Sequence, residues 1–200
     1  MKETIMEISE LTVYIQKYGL LFVFIFTFLE TVVFASLIVP GETAVVLAGI
    51  MAQKGYLKIE SLLIVVIVAA FLGYLTSYFI GTFFGDLIIK KRLLKDKYYK
   101  PTQFFFERYG GISVLFSRFL SLLRSFTALV AGISKMNFAV FVIFDAIGAV
   151  LWSFFYVYLG YFLGFQFQEV EKYFGIVGII MLVGGILILY LFYKYKAKRR

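Results

Sequence analysis

Four charged side chains lie inside otherwise apolar segments of the sequence. Glu30 and Glu42 belong to the first such segment, and Arg118 and Arg124 belong to a later one. A charge in an apolar medium is costly, so a chain keeps it only where it pairs, faces water or acts on a ligand. Arginine binds phosphate oxygens bidentately and stays charged, whereas loss of hydration favours the neutral form of a carboxylate. We therefore expect the arginines to bind an anionic headgroup and the glutamates to exchange protons or cations.

The same four charges also fit a purely structural role. Two Glu–Arg ion pairs could lock the apolar segments together, and a buried pair is weak evidence for anything more. Asp86, beside Lys90 at the end of an apolar stretch, is expected to be an ordinary interfacial charge. Asp145 lies deeper, and we expect either a polar contact between helices or an additional transport residue.

Composition excludes several kinds of site. The chain has neither Cys nor His, so thiol nucleophiles, disulfides, Ser–His dyads and His-ligated metals are impossible. It also lacks a dense Asp cluster and a Gly-rich phosphate loop, so we predict no enzyme activity, no metal and no cofactor. The net charge is +8, but the basic residues cluster in 90–100 and 194–200, next to apolar segments. This placement is typical of cytoplasmic flanks of membrane spans and argues against nucleic-acid binding.

The overall composition is that of a membrane protein. Of the 200 residues, 62% are hydrophobic and 16% charged, and the mean hydropathy is +0.92. Soluble domains are about half apolar and about a quarter charged. We therefore predict an all-α integral membrane protein of the cell membrane.

The lengths of the apolar segments predict how the chain crosses the bilayer. The apolar stretch at 20–52 is too short for two membrane spans of about 20 residues each and too long for one span. A re-entrant hairpin, broken at Pro40 and Gly41, fits this length. Residues 112–133, which carry the two arginines, are predicted to form a second hairpin. An apolar span ending in Gly-x-x-x-Gly follows each hairpin, at 62–89 and 138–165.

Each half of the chain would then consist of one hairpin and one span, and would cross the membrane once. The two halves must therefore have opposite orientations, which predicts an inverted repeat as in many secondary transporters. Residues 1–18 are expected to form an amphipathic helix on the membrane surface, ahead of a transport domain at 19–165. Residues 166–200 are expected to hold a C-terminal transmembrane helix at 174–192 and a basic cytoplasmic tail. The two Gly-x-x-x-Gly segments permit either a monomer or a homodimer.

The sequence around the arginines resembles a known family. Residues 117–126 read Ser-Arg-Phe-Leu-Ser-Leu-Leu-Arg-Ser-Phe and precede Ala131-Gly132, which is similar to the signature of the DedA family of VTT-domain membrane proteins. Phe28-Leu29-Glu30, with Pro40-Gly41-Glu42, is similar to the motif of the family's first half. The resemblance covers the chain from about Tyr18 to Gly164.

The resemblance implies two opposed re-entrant hairpins and movement of lipids between leaflets. Members are associated with undecaprenyl phosphate recycling, with phospholipid translocation or scrambling, and with envelope homeostasis linked to the proton motive force. Ser121 and Ala128 stand where many members have prolines, and Asp145 stands where Asn is frequent. An extra acid could alter headgroup preference. The positions on which the family depends match Glu30, Glu42, Arg118 and Arg124.

The leading hypothesis is a flippase for an anionic lipid, either undecaprenyl phosphate or a phospholipid, coupled to a proton or cation gradient. A scramblase without coupling is one alternative. A proton-coupled exporter of small cationic compounds is another, although two arginines would repel such cargo. A structural scaffold is the last. The expected partners are therefore a membrane lipid and protons or cations.

Overall fold

The computed structural model describes residues 2–33, 41–91 and 96–166. Within these ranges every regular element is a helix, which confirms the all-α prediction. The predicted C-terminal transmembrane helix at 174–192 lies outside the described residues. The helices are α1 (Lys2–Thr31), α2 (Gly41–Gln53), α3 (Ile59–Lys90), α4 (Asp96–Tyr109), α5 (Gly111–Ser117), α6 (Ser121–Ile133) and α7 (Phe138–Gln166).

Two of the helices, α3 and α7, are long and apolar enough to span a membrane. An 18-residue stretch of each helix has a mean hydropathy of 2.3 in α3 and 2.2 in α7, and the helices contain the two predicted spans almost residue for residue. At 1.5 Å per residue α3 is about 48 Å long, which exceeds the roughly 30 Å hydrocarbon core and requires tilt or protrusion. Large apolar side chains on both helices face outward, as lipid contact requires; Ile64, Phe83 and Phe162 are each more than 60% exposed.

The structure differs from the sequence predictions at α1 and α4. A single helix runs through the predicted boundary at residue 18, because the sequence up to Thr31 contains no proline and only Gly19 as a weak point. The position of residues 1–18 at the membrane surface stays a prediction. The stretch 90–108, for which the sequence predicted no helix, contains most of α4, with Pro101 inside it.

Each predicted hairpin consists of two helices. In the first, α1 ends at Thr31 and α2 begins at Gly41, while Pro40 lies outside the described residues. In the second, a turn at 118–120 separates α5 from α6, although the sequence offers no proline or glycine there.

Helices from the two halves pack against each other through glycines. A Cβ on Gly49 of α2 would lie 3.0 Å from the Cα of Gly160 on α7, and a Cβ on Gly81 of α3 would lie 3.1 Å from the Cα of Gly132 on α6. The glycine of each hairpin therefore contacts the Gly-x-x-x-Gly segment of the span in the other half. The glycines of both segments pack inside the chain, and the homodimer stays a prediction.

Candidate functional site

Three of the predicted residues meet where α1, α2 and α6 converge. The Nη2 atom of Arg124 lies 3.1 Å from Oε1 of Glu30, and its Nη1 atom pairs with Oε1 of Glu42. Tyr156 of α7 donates its hydroxyl hydrogen to the same Glu42 oxygen at 2.9 Å. We call these four residues the Arg124 cluster. Glu30 is buried, whereas the Glu42 side chain is 35% exposed, so the cluster opens on the Glu42 side.

Two residues of this cluster lie in the first turns of their helices. Glu42 is the second residue of α2, and Arg124 is the fourth residue of α6. The first N–H groups of a helix have no partner within it, and the helix dipole makes that end partly positive. With both glutamates ionised, the Arg124 cluster carries a formal charge of −1, which the two helix ends partly offset. Protonation of one glutamate would leave a site that attracts anions.

Arg118 forms a second and deeper cluster. One of its Nη atoms pairs with Oδ1 of Asp145 and also donates to the carbonyl of Ala70 at 3.3 Å. The guanidinium carbon lies 3.8 Å from the ring centroid of Tyr74, within cation–π range. Both charged side chains are almost fully buried, at 1% and 0% exposure. We call Arg118, Asp145 and Tyr74 the Arg118 cluster.

Tyr74 connects the two clusters. Its ring lies on the Arg118 guanidinium, while its hydroxyl donates to the backbone carbonyl of Arg124 at 2.9 Å. Tyr74 is 1% exposed and belongs to α3, the first membrane-span candidate. A displacement of either arginine would therefore change a contact of Tyr74, which also contacts the other arginine.

Several buried polar atoms at the site lack hydrogen-bond partners in the described part of the chain. They include Oε2 of Glu30 and Nε of Arg124 in one cluster, and Nε of Arg118 and Oδ2 of Asp145 in the other. An unmet buried polar group costs about 1–3 kcal/mol, more when it is charged. The site therefore retains capacity to bind water or a ligand.

Comparison with known proteins identifies the family. Residues 39–162 match the VTT domain. This chain belongs to the DedA family of VTT-domain proteins. It is 30% identical to protein DedA of Escherichia coli K12 over 152 residues, which cover 74% of this chain and 68% of DedA.

Two further relatives extend the comparison. Undecaprenyl phosphate transporter A of Staphylococcus aureus is 30% identical over 206 residues, covering 95% of this chain and 97% of the relative. An uncharacterized membrane protein of Mycobacterium leprae is 36% identical over 141 residues, covering 68% of this chain but only 64% of that protein. No solved structure matches the chain. The staphylococcal relative is named as a transporter and not as an enzyme, in agreement with the prediction that this DedA-family chain is not an enzyme.

The ion pairs of the described residues differ from the two separate Glu–Arg pairs considered above, but they too connect different helices. Both glutamates share Arg124, and Arg118 pairs with Asp145 instead. Gly41, the predicted hairpin break, abuts the Glu30 carboxylate so closely that a Cβ there would overlap it. Asp86 is exposed near the end of α3.

Two tyrosines of the site were not predicted. Tyr74 and Tyr156 contact the clusters through hydroxyl groups, but nothing in their local sequence distinguishes them among fifteen tyrosines. Both belong to long apolar helices, where an aromatic residue normally indicates packing or interfacial position. A buried tyrosine hydroxyl usually has a partner, but the sequence does not say which one.

Proposed function

We propose that this protein moves an anionic lipid between membrane leaflets, with a polyprenyl phosphate as the first candidate substrate and a phospholipid as the second. The observation that supports the proposal is that Arg124, in the first turn of α6, pairs with the partly exposed Glu42 in the first turn of α2. A guanidinium and helix N-terminal amides are the groups that bind phosphate. The staphylococcal relative, which aligns along 95% of the chain, is named an undecaprenyl phosphate transporter.

Glu30 and Glu42 occupy the guanidinium that the phosphate would bind. A headgroup must therefore displace at least one carboxylate from Arg124, and the displaced carboxylate becomes costly to keep charged. Uptake of a proton or cation at that carboxylate removes the cost. Lipid binding and proton uptake are then thermodynamically linked, so each strengthens the other. This linkage is the basis for transport coupled to a proton or cation gradient.

Arg118 acts after Arg124 in this proposal. It is 1% exposed and paired with Asp145, so a headgroup would reach it only once that pair has opened. Asp145 thereby serves as a counter-ion that Arg118 exchanges for phosphate. Tyr74 transmits the change because it contacts both arginines.

The two halves would move relative to each other as an inverted repeat of two re-entrant hairpins with a cytoplasmic C-terminus. The reciprocal contacts of Gly49 with Gly160, and of Gly81 with Gly132, support this arrangement. Each hairpin lies against the span of the opposite half, so rocking of one half would open the clusters to alternate sides.

Lipid binding tests the site directly. Purified protein in nanodiscs would be titrated with a fluorescent polyprenyl phosphate, comparing wild type with Arg124→Ala and with Lys91→Ala, an exposed cation outside the site. We expect Arg124→Ala to lower the lipid affinity roughly 10- to 100-fold, because hydrogen bonds to charged groups usually contribute that much. Lys91→Ala should leave the lipid affinity unchanged. Equal affinities in all three proteins would refute the role of Arg124.

An exporter of small cations is the second candidate, favoured by the formal charge of −1 on the Arg124 cluster. Such cargo would bind the glutamates once Arg124 had moved away. Arg124→Ala would then strengthen cargo binding, because it removes the competing cation. The same titration with a quaternary ammonium probe separates the two candidates.

A further inference from the structure

An apolar groove runs between α1 and α2 next to the Arg124 cluster. It encloses about 430 Å³ and is lined by five residues of α1 between Tyr18 and Phe26, four residues of α2 between Ala44 and Met51, and Leu57. None of the lining residues in the described part of the chain is charged. Its volume falls in the range of about 300–1,000 Å³ that is common for ligand sites.

The groove opens sideways, toward the surface that would face lipid. Phe22 is 60% exposed and Phe26 is 42% exposed, although both line the groove. Ala48 and Val23, by contrast, are buried at its floor. A molecule could therefore enter from the bilayer without crossing a polar layer.

On both helices, the residues that line the groove come within about one helical turn of the charged site. On α1 the lining ends at Phe26, one turn before Glu30, and on α2 it begins at Ala44, two residues after Glu42. The residues from Tyr18 to Phe26 rise about 12 Å along the helix. An amphiphile with its phosphate at Arg124 could thus lay the first part of its chain in the groove.

We propose that this α1–α2 groove holds the apolar chain of the lipid whose phosphate binds Arg124. The inference rests on the proposed function and adds the second half of the substrate site. A lipid cannot move its headgroup into a buried polar site unless its chain keeps an apolar path beside it. The lateral opening supplies that path, and the remainder of a long chain stays in the bilayer.

The groove selects chains by shape. Lipid tails are as apolar as the groove, so transfer from bilayer to groove gives little hydrophobic gain. Binding must then depend on van der Waals packing against the lining side chains. Small residues such as Ala44 and Gly19 leave the space that the chain would occupy.

Photolabelling locates the chain in the unmodified protein. The probe is a polyprenyl phosphate with a diazirine in the first isoprene units, and the adducts are mapped by mass spectrometry. We expect adducts within residues 18–26 and 44–51 that unlabelled polyprenyl phosphate removes and neutral polyprenol does not. Adducts that resist this competition would identify ordinary bilayer lipid in the groove, and absence of adducts there would place the chain elsewhere. Either result overturns the assignment.

A variant that fills the groove tests its role in transport. Ala44→Phe adds a ring inside the groove, and Ala139→Phe adds the same ring at an exposed position of α7. We expect Ala44→Phe to slow transport of the long-chain phosphate about tenfold while binding of inorganic phosphate, which has no chain, stays at the wild-type value. Ala139→Phe should match wild type in both measurements.

Arg124→Ala, measured alongside, separates the two proposals. If Arg124→Ala stops transport while Ala44→Phe behaves like Ala139→Phe, the groove assignment is wrong and the proposed function stands. If Arg124→Ala transports normally, the proposed function fails and the groove assignment falls with it.

Discussion

Asp145 and Arg118 form a buried ion pair in which each charge depends on the other. Removing one partner of such a pair leaves an uncompensated buried charge, whereas removing both does not. We expect Asp145→Leu to lower the free energy of unfolding by about 3–5 kcal/mol, and the double variant with Arg118→Leu to recover most of it. Thermal unfolding in detergent measures both. A single variant as stable as wild type would contradict the pairing.

Transport by the double variant then decides what Arg118 does. A stable protein that lacks both charges and still moves lipid would assign Arg118 to structure alone. We expect transport to be lost instead, because the proposal requires Arg118 to exchange Asp145 for phosphate.

Tyr74 is predicted to position Arg124 through its hydroxyl group. Tyr74→Phe removes the 2.9 Å hydrogen bond to the Arg124 carbonyl and keeps the ring on Arg118. We expect a loss of about 1 kcal/mol in stability, and a larger fractional loss in transport rate than in lipid affinity. Tyr158→Phe, on α7 and outside both clusters, is the matched control. Equal behaviour of the two variants would remove Tyr74 from the mechanism.

Glu30 makes lipid binding depend on pH. Protonation of a carboxylate in the Arg124 cluster removes a negative charge, so binding of an anionic headgroup should strengthen as pH falls. The phosphate titrates as well, and therefore the informative quantity is the difference between wild type and Glu30→Gln. We expect Glu30→Gln to bind the lipid at high pH about as tightly as wild type binds it at low pH. The lipid affinity of the variant should also change less with pH. Identical pH profiles would exclude Glu30 from coupling.

Among the helices, the glycine contacts determine how the two halves fit together. A Cβ on Gly81 would overlap the backbone carbonyl of Leu129, which cannot move alone, whereas a Cβ on Gly85 would meet the flexible Ile133 side chain at 3.1 Å. We expect Gly81→Ala to cost about 1–3 kcal/mol of stability and Gly85→Ala less than 1 kcal/mol. The two substitutions are one turn apart on the same face, so equal effects would contradict the close α3–α6 contact.

The helices that were predicted correctly are those that an apolar pattern defines. Segment length and hydropathy located α3 and α7, and the Pro-Gly pair located the start of α2 at Gly41. The helix α4 was missed because Pro101 and many charges resemble a linker. The turn at 118–120 contains neither proline nor glycine, so the sequence did not locate the bend between α5 and α6.

The pairing of charges could not be predicted, because it depends on tertiary contacts between distant residues. Arg124 and Glu42 are 82 residues apart, and Arg118 and Asp145 are 27 apart. The sequence identified all the charged members of both clusters as candidates, since ionisable groups in apolar segments are few. It did not show that two glutamates share one arginine, because their side chains meet only once α1, α2 and α6 have all packed on α3.

At the scale of the whole molecule, the proposed lipid movement would need three parts: a headgroup site at Arg124, a carboxylate that takes up a proton, and two halves linked through glycine contacts. A purely structural protein would require the ion pairs. It would not require the partly exposed Glu42 or the nearby buried polar atoms of the described residues that lack hydrogen-bond partners.

Lipid movement in proteoliposomes tests this central claim most directly. Labelled undecaprenyl phosphate and a labelled phospholipid would be followed between leaflets, with and without a proton gradient, for wild type and Arg124→Ala. We predict that undecaprenyl phosphate moves with wild type, faster under a gradient, and that Arg124→Ala reduces its movement to the protein-free rate. Movement that is independent of Arg124, or no movement of either lipid with wild type, would contradict the account.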